Sequence, residues 1–232
     1  MKFENTDVWG FEHALRGMRN PMNSWDKSDS RWERDYFPDP VYIIGGDDMK
    51  LAQKLIKAGS EHRKFLRQIF VSVDITAPLF WWKEMDTYKI GTIANSQSSM
   101  HKLATTPITR DCFETDDFDD LLNTGLSIEY NKFFNEIICC LEQLRQYYLK
   151  THDKKVWKEL IRALPESWLQ TRTVTMNYEN ILNMYHQRKN HKLNEWSGID
   201  DPTKPNFISW VKTLPYAKEF IIGDEDNDQN KS

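Results

Sequence analysis

Apolar residues recur at helical spacing along most of the chain and at strand spacing in one stretch. Val8, Phe11, Leu15 and Met18 fall at intervals of three and four, which predicts a short helix over Val8 to Met18 that closes before Asn20-Pro21. The stripe Met49, Leu51, Ala52, Leu55 and Ile56 predicts a second helix, capped by Asp47 and stopped by Gly59. Between them, Asn20 to Asp39 mixes Asn, Ser, Asp and Pro with Trp25, Trp32, Tyr36 and Phe37, the composition of a long loop, either functional or an ordinary surface excursion. Ile69, Val71, Val73 and Ile75 alternate with Gln68, Ser72 and Asp74. That period of two predicts a strand with one buried face over Gln68 to Ile75, stopped by Pro78 and followed by a helix through Phe80, Trp81 and Trp82.

The second half reads as helices. Phe133, Phe134, Ile137, Ile138, Leu141, Leu144 and Tyr148 trace a stripe between Tyr130 and Tyr148, about five turns long, and Cys140 beside it reads as a buried small hydrophobe. Another helix runs from Lys154 to Ala163 and stops at Leu164-Pro165. The next, Asn177 to about Glu195, places Asn177, Ile181, Tyr185 and Arg188 on nearly one line, because eleven residues at roughly 100° each make almost three turns. An Asn and an Arg at the two ends of one face can grip one extended ligand. Residues 1–222 are expected to form one domain, and the acidic, aperiodic stretch Gly223 to Ser232 a disordered tail.

Composition narrows the function. A chain of 232 residues with 39% hydrophobic residues and nine tryptophans can bury a sizeable core. Its 31 basic and 35 acidic side chains leave a formal charge of -4 with no long basic block, which argues against a dedicated nucleic-acid or membrane-surface protein and leaves small anionic ligands open. Cys112, Cys139 and Cys140 do not form a disulfide framework, and neither a signal-peptide core nor a run of about 18 apolar residues is present, so a cytoplasmic protein is expected. Gly45-Gly46 is followed by two aspartates that would repel a phosphate, so it reads as a turn and helix cap. His186 and His191 point in different directions on a helix, and no ligand set forms around them, so no metal is expected. No G-x-S-x-G elbow occurs, and no base can be assigned to Ser98.

Three successive blocks carry more information than any single residue. LAQKLIKAGSEHRKFLRQIFVSVDITAPLF (51–80), YKIGTIANSQSSMH (88–101), and KELIRALP (158–165) followed by NYENILNMYHQR (177–188) resemble, in that order, the flavin-dependent thymidylate synthases. The first looks like that family's helix, glycine stop, His-containing loop and strand ending in Ala-Pro. The third looks like its E-L-x-R-x-x-L-P and N-x-R-x-L helix ending in Arg. The resemblance covers roughly residues 47 to 222. It implies an α+β fold of the thymidylate synthase-complementing-protein type, a mixed α/β subunit with a central antiparallel sheet flanked by helices. It also implies a homotetramer that methylates dUMP, with FAD, a folate carbon donor and a reduced nicotinamide such as NADPH. By the same resemblance Ser98 is the catalytic candidate; His62, Lys89, Asn95 and Asn177 would bind the cofactor, and Glu84, Ser98, Arg162 and Arg188 the nucleotide.

The second block departs from the family. Where the family has R-H-R-x-x-S-x-N-E-x-S-x-R-Y, only Asn95 and Ser98 match, and Tyr88, Lys89 and Ile90, or Thr87, Tyr88 and Lys89, stand for R-H-R. Losing two or three arginine contacts to phosphates costs on the order of 3 to 9 kcal/mol without replacement. Arg16 and Arg19 on the first helix, with Lys83 and Lys89, could rebuild a basic pocket; the bland reading of Arg16 and Arg19 is a solvated face. Ser98 reads equally as a helix cap. Two functions follow: a divergent dUMP methylase, or a protein on the same fold that holds a nucleotide without turning it over. An oligomeric structural protein without a ligand is a third.

Overall fold

A computed structural model describes residues 1–34, 40–115 and 127–223. Four strands, β1 (Lys2–Trp9), β4 (Phe70–Pro78), β5 (Ile93–Ser96) and β6 (Leu169–Asn177), form an antiparallel sheet in the order β1-β4-β6-β5. The alternation read in the sequence forms β4, where Val71, Val73, Ile75 and Ala77 are buried. Strands β1, β5 and β6 were not expected. β1 and β5 are mostly exposed, and the polar first half of β6 hides its period. The chain divides into two compact units, and the division falls within β4, β5 and β6.

The first unit comprises Met1, Ile75–Thr87 and Asn95–Thr173, as far as they are described. Its core is Leu103, Ile108, Cys112, Phe113, Phe134, Leu141, Leu160 and Trp168, four of them from α4 (Ser99–Thr105), α5 (Ser127–Thr151) and α6 (Lys154–Arg162) and four from segments outside these helices. α3 (Leu79–Met85) starts after Pro78, as the sequence indicated, and buries Trp81 and Trp82. Asp153 accepts a hydrogen bond from the Lys155 amide at 2.8 Å and caps α6. Cys140 corrects its expectation. Leu141 faces the core, and a residue one position earlier is turned about 100° away, so Cys140 is exposed.

The second unit comprises Lys2–Asp74, Tyr88–Ala94 and Val174–Ser232, as far as they are described. It holds α1 (Phe11–Met18), α2 (Gly46–Lys57), α7 (Tyr178–Arg188), α8 (Asn194–Ser197), α9 (Phe207–Val211) and a π-helical turn, Lys218–Ile222. Phe11 meets Tyr178, Tyr216 and Phe220 in edge-on and tilted contacts at 5.6, 5.5 and 6.4 Å. α1 starts after Gly10, whose φ is +97° and where a Cβ would lie 2.2 Å from the Gln68 carbonyl oxygen; Val8 belongs to β1 instead.

Part of the expected loop from Asn20 to Asp39 is ordered structure. β2 (Arg31–Glu33) pairs antiparallel with β3 (Val41–Ile43), Trp32 opposite Tyr42, while Tyr36 and Phe37 lie outside the described residues. Asp29 accepts from the amides of Asp47 and Asp48 at 2.9 and 3.0 Å, so the cap of α2 comes from this segment rather than from Asp47. Arg19 is no solvated face: its Nε donates to the buried Asp48 carboxylate at 2.5 Å, which also accepts from the Ser28 and Ser30 hydroxyls. α7 ends at Arg188, shorter than expected, because Lys189 to Lys192 offers no apolar residue to continue the stripe. Of the expected tail, residues 224–232 lie outside the described residues. No helix of the described residues is long and apolar enough to cross a membrane.

Candidate functional site

Helix α7 organises the second unit's share of the candidate residues. Asn177 ends β6 and caps α7. Its Oδ1 accepts from the Asn180 amide at 3.0 Å, and the Asn180 Oδ1 accepts from the Asn177 amide at 3.3 Å, a reciprocal box. Eleven residues on, Arg188 closes the helix. Its Nε donates to the Tyr88 hydroxyl at 2.8 Å, and its guanidinium carbon lies 4.7 Å from the Trp196 ring centre and 5.5 Å from that of Tyr88. The Tyr88 hydroxyl is 2.9 Å from Gln187 Oε1, to which it donates. A planar cation held by stacking and one directed hydrogen bond has lost much of its rotamer freedom before a ligand arrives.

Tyr88 begins the segment that replaces the R-H-R motif, and this segment is strapped along α7. Asn180 Nδ2 donates to the Ile90 carbonyl at 2.7 Å. Gly91, at φ +76°, comes so close that a Cβ would stand 2.9 Å from Asn180 Oδ1 and 3.0 Å from Asn177 Nδ2. Lys89, the one cation between residues 88 and 98, is exposed. At the arginine position of N-x-R-x-L stands Glu179, buried, its carboxylate accepting from Arg63 Nε at 3.3 Å and from Arg67 Nε. Arg63 also donates to Asn183 Oδ1 at 3.1 Å. Positive charge here comes from Arg63 and Arg67, brought in by an acid. His62 is exposed and lines a different cavity, of about 660 Å³, with Met18 and Phe65.

The first unit carries the other candidates on separate elements. Ser98 is the N-cap of α4, its hydroxyl accepting from the His101 amide at 3.3 Å. Glu84 lies on α3, and Arg162 at the end of α6, exposed and paired with Glu159 at 2.7 Å. Asn95 is exposed on β5. Residues that the sequence did not single out hold the approach to Ser98. Gln170 Nε2 donates to the Gln97 carbonyl at 2.9 Å, and Arg172 donates from Nε to Gln170 Oε1 at 2.9 Å and from Nη1 to Asp86 at 2.6 Å. The Arg172 guanidinium lies 4.1 Å from the Trp82 ring centre. In sequence, Arg172 in an alternating Thr-Arg-Thr run was the only signal, and it names no partner. Lys83, weighed as part of a rebuilt pocket, is paired with Glu166.

These residues can be tested against FAD. A dinucleotide needs cations or convergent amides at its diphosphate. Of the four expected ligands, Asn177 spends its oxygen on the cap, His62 opens onto another cavity, Lys89 is a single exposed cation and Asn95 is exposed. That set does not fit the group within one chain.

The chain is similar in structure to the flavin-dependent thymidylate synthase ThyX from Helicobacter pylori complexed with FAD and dUMP, with a TM-score of 0.63 at 16% identity over 97% of this chain and 99% of that one. A second structure from Helicobacter pylori, with FAD and dUMP, matches at the same TM-score and identity over 97% and 98%. The UMP/dUMP methylase PolB from Streptomyces cacaoi, bound with 5-Br dUMP, matches with a TM-score of 0.57 at 14% identity over 93% and 92%. The fold is therefore that of the flavin-dependent thymidylate synthases. No protein-family model and no curated protein matches the chain by sequence.

Proposed function

We propose that the chain binds a uridine-type nucleotide such as dUMP, with Arg188 as the principal charge for its anionic group. The observation that carries this is the state of Arg188, a guanidinium oriented by the Tyr88 hydroxyl and stacked on Trp196 at the end of α7. Binding to a pre-oriented cation avoids much of the ordering cost. The likeness to structures holding dUMP or 5-Br dUMP supports the same class of ligand.

A second reading is methylation of dUMP to dTMP by a homotetramer, with reduced FAD, a folate carbon donor and NADPH. Similarity to the ThyX enzyme and the PolB methylase over nearly the whole chain favours it; the poor fit of His62, Lys89, Asn95 and Asn177 to FAD weighs against it. Calorimetry with dUMP and with FAD, run separately, decides. Saturable binding of dUMP alone supports the nucleotide-binding protein. Binding of both, with tritium released from C5-labelled dUMP, supports the methylase. No binding of dUMP overturns the proposal.

A further inference from the structure

A cavity of about 510 Å³ in the second unit is lined by Arg63 and by none of the site residues expected from the sequence. It lies where α2, α7 and the π-helical turn Lys218–Ile222 meet, and four basic residues line it: Lys57, Arg63, His186 and Lys218. Among the described residues, Glu219 is the one acid in the lining. Arg63 is ion-paired with Glu179 outside the lining, which leaves Lys57 and Lys218 as the other formal cations facing the cavity. The remaining lining is largely apolar, with Leu182 and Phe220 buried. Volumes of about 300 to 1,000 Å³, apolar walls and a few placed polar groups define small-molecule sites.

Two features mark the cavity as built. Arg63 is held in place from both sides, its Nε by Glu179 and its Nη2 by Asn183, so its charge is positioned by residues that are not themselves part of the lining. The π-helical turn is a rare geometry, and such turns cluster at functional sites. It ends at Gly223, in a positive-φ conformation, where an added Cβ would meet nothing within 4 Å.

We infer that this cavity binds a small amphipathic anion, with an apolar body against Leu182 and Phe220 and a carboxylate or phosphate head toward Lys57, Arg63 and Lys218. An apolar body alone would leave the basic lining unused, and a bare inorganic anion would leave the apolar walls wet. The inference does not rest on the nucleotide reading, because Arg188 is not among the lining residues.

The test is calorimetry on the full chain with octanoate, octyl phosphate and octanol, each below its micelle concentration. Expected is saturable binding of at least one of the two anions at one per chain, with octanol at least tenfold weaker, and the better anion identifies the head group. Lys57→Glu with Lys218→Glu should weaken that anion at least tenfold without moving the thermal midpoint; should the pair fail to fold, Lys218→Ala, at an exposed position, should weaken it severalfold. Arg188→Ala should leave octanoate and octyl phosphate binding unchanged even where dUMP binding is lost. Equal binding of octanol and the anions, no saturable binding of either anion, indifference to the lysine variants, or loss in Arg188→Ala would each overturn the inference.

Discussion

At the scale of single residues, charges in this protein are placed by partners distant in sequence. The Arg188 guanidinium is fixed by Tyr88, a hundred positions earlier. Arg188→Ala should weaken dUMP binding by about 1.5 to 3 kcal/mol, the worth of a hydrogen bond to a charged group, in a folded protein. Tyr88→Phe keeps the ring and removes the hydroxyl, so its loss should be smaller and in the same direction. Unchanged calorimetric affinity in Arg188→Ala would remove Arg188 from the site. Asp48 shows the same logic in a structural role. Its side chain is wholly buried and neutralises Arg19, which is 5% exposed. Burial opposes its ionised form, but the Ser28 and Ser30 hydroxyls and Arg19 together hold its carboxyl below the ordinary range. Asp48→Ala should destabilise the protein by about 3 to 5 kcal/mol in urea unfolding, because it strands a buried cation, and Arg19→Met added to it should recover part of the loss. A single variant as stable as the parent would refute the account.

At the scale of elements, the strap from Tyr88 to Thr92 and the helix α7 fit by backbone approach. Gly91→Ala should cost about 1 to 3 kcal/mol, because it adds both positive-φ strain and a Cβ within 2.9 Å of Asn180. It should lower the thermal midpoint and, if the strap positions Tyr88, also weaken dUMP binding; a midpoint that does not fall would show the strap to be loosely held. In the first unit, Glu142 ties α5 to the segment that follows α4, accepting from the Ile108 amide at 2.8 Å and from Arg145 at 2.8 and 2.9 Å. Its carboxyl is drawn down from 4.5 to about 2, first by Arg145, against the opposing effect of burial, with help from the Ile108 amide and Gln146. A depressed carboxyl stabilises the fold above its unfolded pKa, and that contribution is lost as pH falls from about 4.5 to about 2. Unfolding measured against pH should therefore show the parent's advantage over Glu142→Gln shrinking across that window; an advantage constant with pH would contradict it.

At the scale of the whole molecule, the described surface of α5 presents Tyr130, Phe133 and Tyr147, large rings at 44, 56 and 55% exposure. Together with the family resemblance, they motivate an expected homotetramer, in which such rings are covered by other copies. Light scattering at micromolar concentration should give four times the chain mass of 27.6 kDa, and a strictly monomeric mass would exclude it.

Much of the fold was legible because helices and strands write their period locally. The stripes of α2 and α5, the stop after α6 and the alternation of β4 needed no knowledge of the rest of the chain. The loss of R-H-R is likewise a matter of identity. What the sequence left open are choices among distant partners. β1 has almost no buried face to give it a period, and lies in the sheet because β4 lies beside it. Arg19 and Asp29 look like ordinary surface charges until the chain brings Asp48 and the start of α2 to them. Glu179 looks like a lost arginine until Arg63 and Arg67 are found donating to it. The local pattern determined the elements and the residue types available for chemistry. Only tertiary structure decided which charges are spent on one another, because ion pairing and capping depend on distances in space that no spacing along the chain specifies.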